Sequence, residues 1–229
     1  MSSSPDAWVT AWLSPGRYAK YLSAAKGDHD NALRLYKWNA RLSAALLHDL
    51  GHLEVRLRNA YDRALLAHPL VAGDDWLSPH VASLLLPEHR RRNADGTTQD
   101  KNATPRNAIR QARKYANFTE GNGVHRGKVI AELMFGFWSY LTDSLHEKTI
   151  WVPALHKAYA PGADRSKLHA ALDGLRDVRN RLAHNESIYD RNPENVRRSI
   201  VFVARNLSEP LRRHIVAHST VAAVIDSRS

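Results

Sequence analysis

Between Gly27-Asp28 and Ala67 the apolar positions Leu35, Leu42, Leu46, Leu50, Leu53, Leu57, Tyr61 and Leu65 recur at helical spacing. The stripe predicts one long helix, or two joined by a bend. Shorter apolar stripes predict further helices over 105–117, 127–145, 164–183 and 193–206, with another after Ser208-Glu209-Pro210. The Phe135, Phe137, Trp138 and Leu141 cluster falls inside one of these and reads as core packing. Helix starts are marked by a capping residue followed by proline, at Ser14-Pro15, Ser78-Pro79, Thr104-Pro105 and Asn192-Pro193. The cap side chain accepts an orphan backbone N–H, and proline at the first helical position has no N–H to leave unpaired. No strand alternation competes with these signals. Residues 87–103 hold Arg90-Arg91-Arg92, an Asp95-Gly96 turn signal and little that could pack, and read as a long basic loop. The expected fold class is all-α, in one domain spanning residues 1–229 with no internal repeat or linker.

At 229 residues and 43% hydrophobic content, the chain can bury a proper core without covalent staples. It has no cysteine, which excludes disulfides, thiolate catalysis and cysteine zinc sites and agrees with a reducing compartment. Met1 to Trp12 shows no secretory signal, and no apolar run approaches the roughly 18 residues needed to span a bilayer. The expectation is a cytoplasmic protein without a membrane partner. Net charge is +10, concentrated in residues 86–114 (eight basic, three acidic) and 174–213 (nine basic, five acidic). Positive charge gathered in two blocks points to a polyanion, of which nucleic acid is the usual one. The candidate RNA contacts are Arg90, Arg91, Arg92, Lys101, Arg106, Arg110 and Arg181.

Several histidine spacings are available. His48 and His52 lie four apart near Glu54, but the segment lacks the glutamate that a zinc helix carries beside its first histidine, and no third ligand is evident, so no metal site is assigned. Gly121-Asn122-Gly123 lacks the lysine and hydroxyl residue of a phosphate loop and reads as a flexible turn. More informative is Arg179, which falls on the stripe of Leu168, Leu172, Leu175 and Leu182 where an apolar residue is expected, and therefore asks for a partner. Asn180 and His184, four apart, share a face and can point at one ligand. An imidazole can take the proton of a ribose 2′-OH, a guanidinium can neutralise charge developing on the neighbouring phosphate, and an asparagine can hold the nucleotide. The nucleophile then belongs to the substrate, so neither metal nor cofactor is needed, and DNA should resist. A second histidine, supplied by a symmetric dimer, would protonate the departing 5′ oxygen. The same spacing recurs at Arg63 and His68, where alanine follows the arginine, and at Arg213 and His218, where a polar residue follows and the pair is a rival.

Three stretches, in order, resemble one family. They are Ala32-Leu33-Arg34-Leu35-Tyr36-Lys37-Trp38-Asn39 leading into Leu53-Glu54-Val55-Arg56-Leu57-Arg58-Asn59, then Phe135-Gly136-Phe137-Trp138-Ser139-Tyr140-Leu141, and finally Arg179-Asn180-Arg181-Leu182-Ala183-His184-Asn185-Glu186. The chain resembles the Abi-like abortive-infection proteins of the HEPN superfamily. That resemblance implies an all-α HEPN-type bundle with a long central helix, a homodimer with paired motifs, and metal-independent endoribonuclease activity used in phage defence. It also implies restraint by an RNA or protein antitoxin. By motif position it makes Arg179, Asn180 and His184 catalytic, with Glu54 and Arg58, as a pair one turn apart, and Asn59 in support. Some toxins of the superfamily carry a tyrosine two residues after the histidine, modified by a partner transferase; here Glu186 stands there and the nearest tyrosine is Tyr189. The alternatives are an RNA-binding module that does not cut, and a helical interaction subunit of a toxin–antitoxin or defence system.

Overall fold

The computed structural model describes residues 7–117 and 126–228, so Gly121-Asn122-Gly123 lies outside the described residues. Helices α1 (Ala7–Leu13) and α2 (Pro15–Ala24) lead to α3 (His29–Leu66), a single unbroken helix of 38 residues and about 57 Å. Its start is fixed by Asp28, whose carboxylate accepts the Asn31 N–H at 2.9 Å. The predicted stripe faces inward, with Leu42, Leu46, Leu50, Leu53, Leu57, Tyr61 and Leu65 all buried. Helix α2 and most of the later helices pack against it.

After α4 (Pro79–Leu85) the basic segment is not the loop expected. It folds as a hairpin of β1 (Arg90–Arg92) and β2 (Thr98–Asp100), antiparallel, with Arg90 opposite Asp100, Arg91 opposite Gln99 and Arg92 opposite Thr98. Gly96 turns the chain at φ +81, a left-handed conformation that costs glycine nothing. The hairpin carries no buried apolar face, so it left no period-two signal in the sequence. It is pinned at its base instead. Asp100 accepts the His89 and Asn102 N–H groups and pairs with Arg106, and Arg106 also donates to the Leu86 carbonyl at 2.7 Å.

Helix α5 (Ala103–Tyr115) begins one residue before Thr104, so Thr104-Pro105 is not a cap pair; Ser78 and Asn192 do cap, accepting from Val81 and Asn195. The helix expected over 127–145 is broken into α6 (Arg126–Glu132) and α7 (Phe135–Tyr140). Met134 is extended at the break, and the indole N–H of Trp138 donates to the Leu133 carbonyl at 3.1 Å, satisfying an acceptor that the interruption frees. Irregular helical turns over 144–158 follow, then α8 (Arg165–Ala183), α9 (Pro193–Leu207), α10 (Glu209–His218) and α11 (Val221–Asp226). Helix α8 packs between α7 and α9, and α9 also rests on α3. Among the described residues no helix is long and apolar enough to cross a membrane.

Buried polar groups tie the turns to this core. Asp49 on α3 accepts the Ser219 hydroxyl at 2.6 Å and holds the approach to α11. His146 is buried, and its Nε2–H donates to Asn102 Oδ1 at 2.9 Å, because the Asn102 amide NH2 is already directed to the Pro87 carbonyl. Burial disfavours the imidazolium and depresses the His146 pKa to about 4. The neutral ring is therefore the folded-state form. Below the ordinary histidine pKa the unfolded chain takes up a proton that the folded chain refuses, so this contribution is whole above about pH 6.5 and is lost as pH falls towards 4, by about 3 kcal/mol in all. Denaturant titrations across that window should show the loss, and His146→Gln should flatten it.

Candidate functional site

Helix α8 opens on Asp164, which accepts the Lys167 N–H, and buries Leu168, Leu172, Leu175 and Leu182. Arg179 takes the remaining position of that stripe and is three-quarters covered, with its Nε 3.9 Å from Glu54 Oε2 on α3. The carboxylate is the partner that the misplaced charge required. Glu54 thus faces Arg179 and not Arg58, and the expected pair within α3 does not form; Arg58 makes no ion pair among the described residues. One turn of α3 gives the two side chains the same face, but the motif arginine arrives closer to the acid. Asn59 is exposed on the same helix.

The helix ends at His184 in a double-bonded turn. The Asn185 N–H donates to the Leu182 carbonyl at 3.1 Å and the Glu186 N–H to the Arg181 carbonyl at 2.8 Å, with Asn185 left-handed at φ +52. Asparagine adopts this conformation more readily than other side chains. Arg181 braces the same turn: it donates to the Ser187 carbonyl at 3.0 Å and lies 3.6 Å from Glu186. Beyond the turn the buried Asn39 of α3 accepts the Ile188 N–H at 2.8 Å. These contacts fix where the imidazole stands, fully outside the core. Asn185→Gly should therefore be nearly neutral in stability, while Asn185→Val should cost about 1–2 kcal/mol and loosen the His184 position, measurable by thermal unfolding.

The motif side chains differ from their neighbours in what they are free to do. Arg176 is occupied by Asp173 and Asp177, and Arg181 by its turn. Arg179, Asn180 and His184 make no side-chain hydrogen bond among the described residues. Arg179 is steadied by a long ion pair that leaves its N–H fork unsaturated, a geometry suited to receiving an anion. Asn180 borders a groove of about 590 Å³ between α5, α7 and α8, whose lining includes Ala108, Tyr115, Met134 and Phe137. Tyr115 and Met134 are 70% and 60% exposed, apolar surface beside a polar motif.

Sequence reasoning did not find this groove, because its walls come from distant segments. Gly136 stands on its wall, where a Cβ would only touch the aliphatic stem of Arg176 at 3.4 Å. The candidate RNA contacts divide. Arg90, Arg91, Arg92 and Arg110 are exposed, Arg90 in contact with Glu88, whereas Lys101 reaches Asn93 and Gln99 within the hairpin segment and Arg106 is absorbed by its base.

Elsewhere, His68 is buried between the Thr149 carbonyl and the Leu70 N–H, which leaves Arg63 and His68 no site. Arg213 leans on Glu209 of its own helix at 3.9 Å, and the Nδ1–H of His218 donates to the His214 carbonyl. His48 and His52 extend into a column with His214 and His218, ring centroids 4.4–5.0 Å apart. Burial, then the neighbouring imidazoles, lower the His52 pKa. Among the described residues no group of three or more histidine or carboxylate side chains is arranged to hold a metal ion.

Residues 16–190 match the family model described as Abi-like protein, which takes in α3, the Phe135–Leu141 cluster and the Arg179–His184 motif. No curated protein and no solved structure matches the chain.

Proposed function

The chain belongs to the Abi-like protein family, and from that premise we propose that it is an abortive-infection protein of HEPN type which, as a homodimer, cuts RNA without a metal cofactor. The observation that carries the reading is the set of uncommitted side chains at one end of α8: Arg179 steadied by Glu54, Asn180 on the groove, and His184 held outward by its turn. In the proposed reaction one His184 imidazole takes the 2′-OH proton, and the 2′ oxygen attacks the adjacent phosphorus. The bond to the 5′ oxygen breaks as the imidazolium of a second copy's His184 protonates it, leaving a 2′,3′-cyclic phosphate and a 5′-hydroxyl. Arg179 neutralises the charge that builds on the phosphoryl oxygens, and Asn180 positions the nucleotide. An RNA or protein antitoxin covering this end of α8 would restrain the resting protein.

Purified protein incubated with total RNA in chelator should generate new cyclic-phosphate ends. Intact RNA, or ends bearing 3′-hydroxyls, would reject the reading. The exposed Arg90-Arg91-Arg92 strand favours a second reading, RNA binding without cleavage. It predicts salt-sensitive retention of uncut RNA.

A further inference from the structure

At the opposite end of α3 from Leu66, the structure forms a second cleft that the motif chemistry does not use. Arg34, Lys37 and Arg41 are exposed and fall within about 60° of one another around the helix axis, making a cationic ridge about 10 Å long. Beside the ridge, Tyr36 meets the Trp12 ring edge-on at 5.1 Å, and Trp12 in turn stacks on Trp8 at 5.7 Å with planes 17° apart. Both indoles are more than half exposed, at 54% and 56%, which is unusual for side chains whose only task is to seat a short helix. Arg228 closes the far wall, its guanidinium 4.8 Å over the Trp38 ring. The cleft is open to solvent and has a volume of about 570 Å³, and no carboxylate among the described residues lines it. Its size is that of ligand pockets, which run to roughly 300–1,000 Å³.

Aromatic faces next to unopposed cations are what a base with its phosphate requires. The ring accepts a stacked base whatever its identity, and the cations take the backbone. An acidic protein would be served by the ridge but would leave the indole faces unused. We propose that this cleft binds the nucleobase–phosphate unit of single-stranded RNA, with the base stacked on Trp12 and the phosphates on Arg34, Lys37 and Arg41. Arg228 also donates to the Tyr189 carbonyl at 3.4 Å, and Tyr189 lies on the chain that leaves the His184 turn. This hydrogen bond puts the wall of the cleft in contact with the segment that follows the His184 turn.

The proposal concerns binding and is read on the full-length His184→Ala protein, so that its outcome is separate from that of the cleavage reading. A fluorescein-labelled ten-residue oligouridylate is titrated and followed by anisotropy. Trp12→Ala should weaken binding about tenfold, Trp12→Phe should stay within about twofold of the parent, and the surface double variant Lys37→Glu/Arg41→Glu should lose more than tenfold and show a shallower salt dependence. The double variant changes only exposed side chains, so it decides the matter even if Trp12→Ala loosens α1. Competition by uridine monophosphate at the oligonucleotide's own concentration would assign the cleft to free nucleotides, and competition by oligonucleotide alone to RNA; either supports the site. Unchanged affinity in both the Trp12→Ala and double variants would overturn it, as would binding of an acidic protein at the ridge with none of either nucleotide probe.

Discussion

On the proposed reaction, replacing His184 with alanine should lower RNA cleavage by about 10²- to 10⁴-fold, the usual contribution of a positioned general acid–base group. The variant should fold as the parent does. His184 is exposed, its ring makes no hydrogen bond among the described residues, and the turn that ends α8 is built from the backbone of Leu182, Asn185 and Glu186 and the Arg181 carbonyl, none of which the substitution touches. A loss of rate with unchanged unfolding is therefore the signature of chemistry and not of damage. Arg179→Ala should also lose rate, but with a cost in stability, since it strips Glu54, a side chain 17% exposed, of its counter-charge. Initial rates on a short RNA, with circular dichroism melts of the same preparations, separate the two cases.

The largest effect on stability belongs to Trp138. Its ring is fully buried against Tyr61, Trp76 and Phe137, and its N–H serves the Leu133 carbonyl where α6 gives way to α7. Trp138→Ala should cost roughly 3–5 kcal/mol, from lost burial and the cavity left behind. That is a large share of the roughly 5–15 kcal/mol available to a protein domain. Trp138→Phe restores most of the volume but leaves the carbonyl unpaired, and should fall between the two. Denaturant midpoints of the three proteins test the order. Because α7 packs on α8 beside Arg176, softening this cluster should also widen the groove that Asn180 borders.

Much of the architecture was legible because it obeys one rule, that a helix must bury a stripe. The leucines of α3 and α8 declared both helices, and Ser78 and Asn192 announced the starts of α4 and α9 through the proline that follows each. What escaped notice lacks that signal. The Arg90–Arg92 strand pairs with Thr98–Asp100 through backbone bonds alone, with no apolar face to alternate. The interruption at Leu133 and Met134 sits inside an apolar run whose spacing continues across it, and only a tertiary contact, the Trp138 N–H, reveals it. The same distinction governs the site. Arg179 was conspicuous as a charge on an apolar stripe, and Glu54 was visible as a motif residue. Their pairing was not, since helical spacing pointed equally to Arg58 and only the crossing of α8 over α3 decides. The groove of Tyr115, Met134 and Asn180 unites segments that no local pattern connects.

The proposed chemistry depends on one oxygen of the substrate. A short RNA that the protein cuts is resynthesised with a single 2′-O-methyl group on the nucleotide 5′ to the cut. The account predicts that cleavage at that linkage stops while the unmodified strand continues to yield a cyclic phosphate. Continued cutting at the methylated position would show that the attacking oxygen comes from elsewhere, and that Arg179 and His184 do not perform the reaction described.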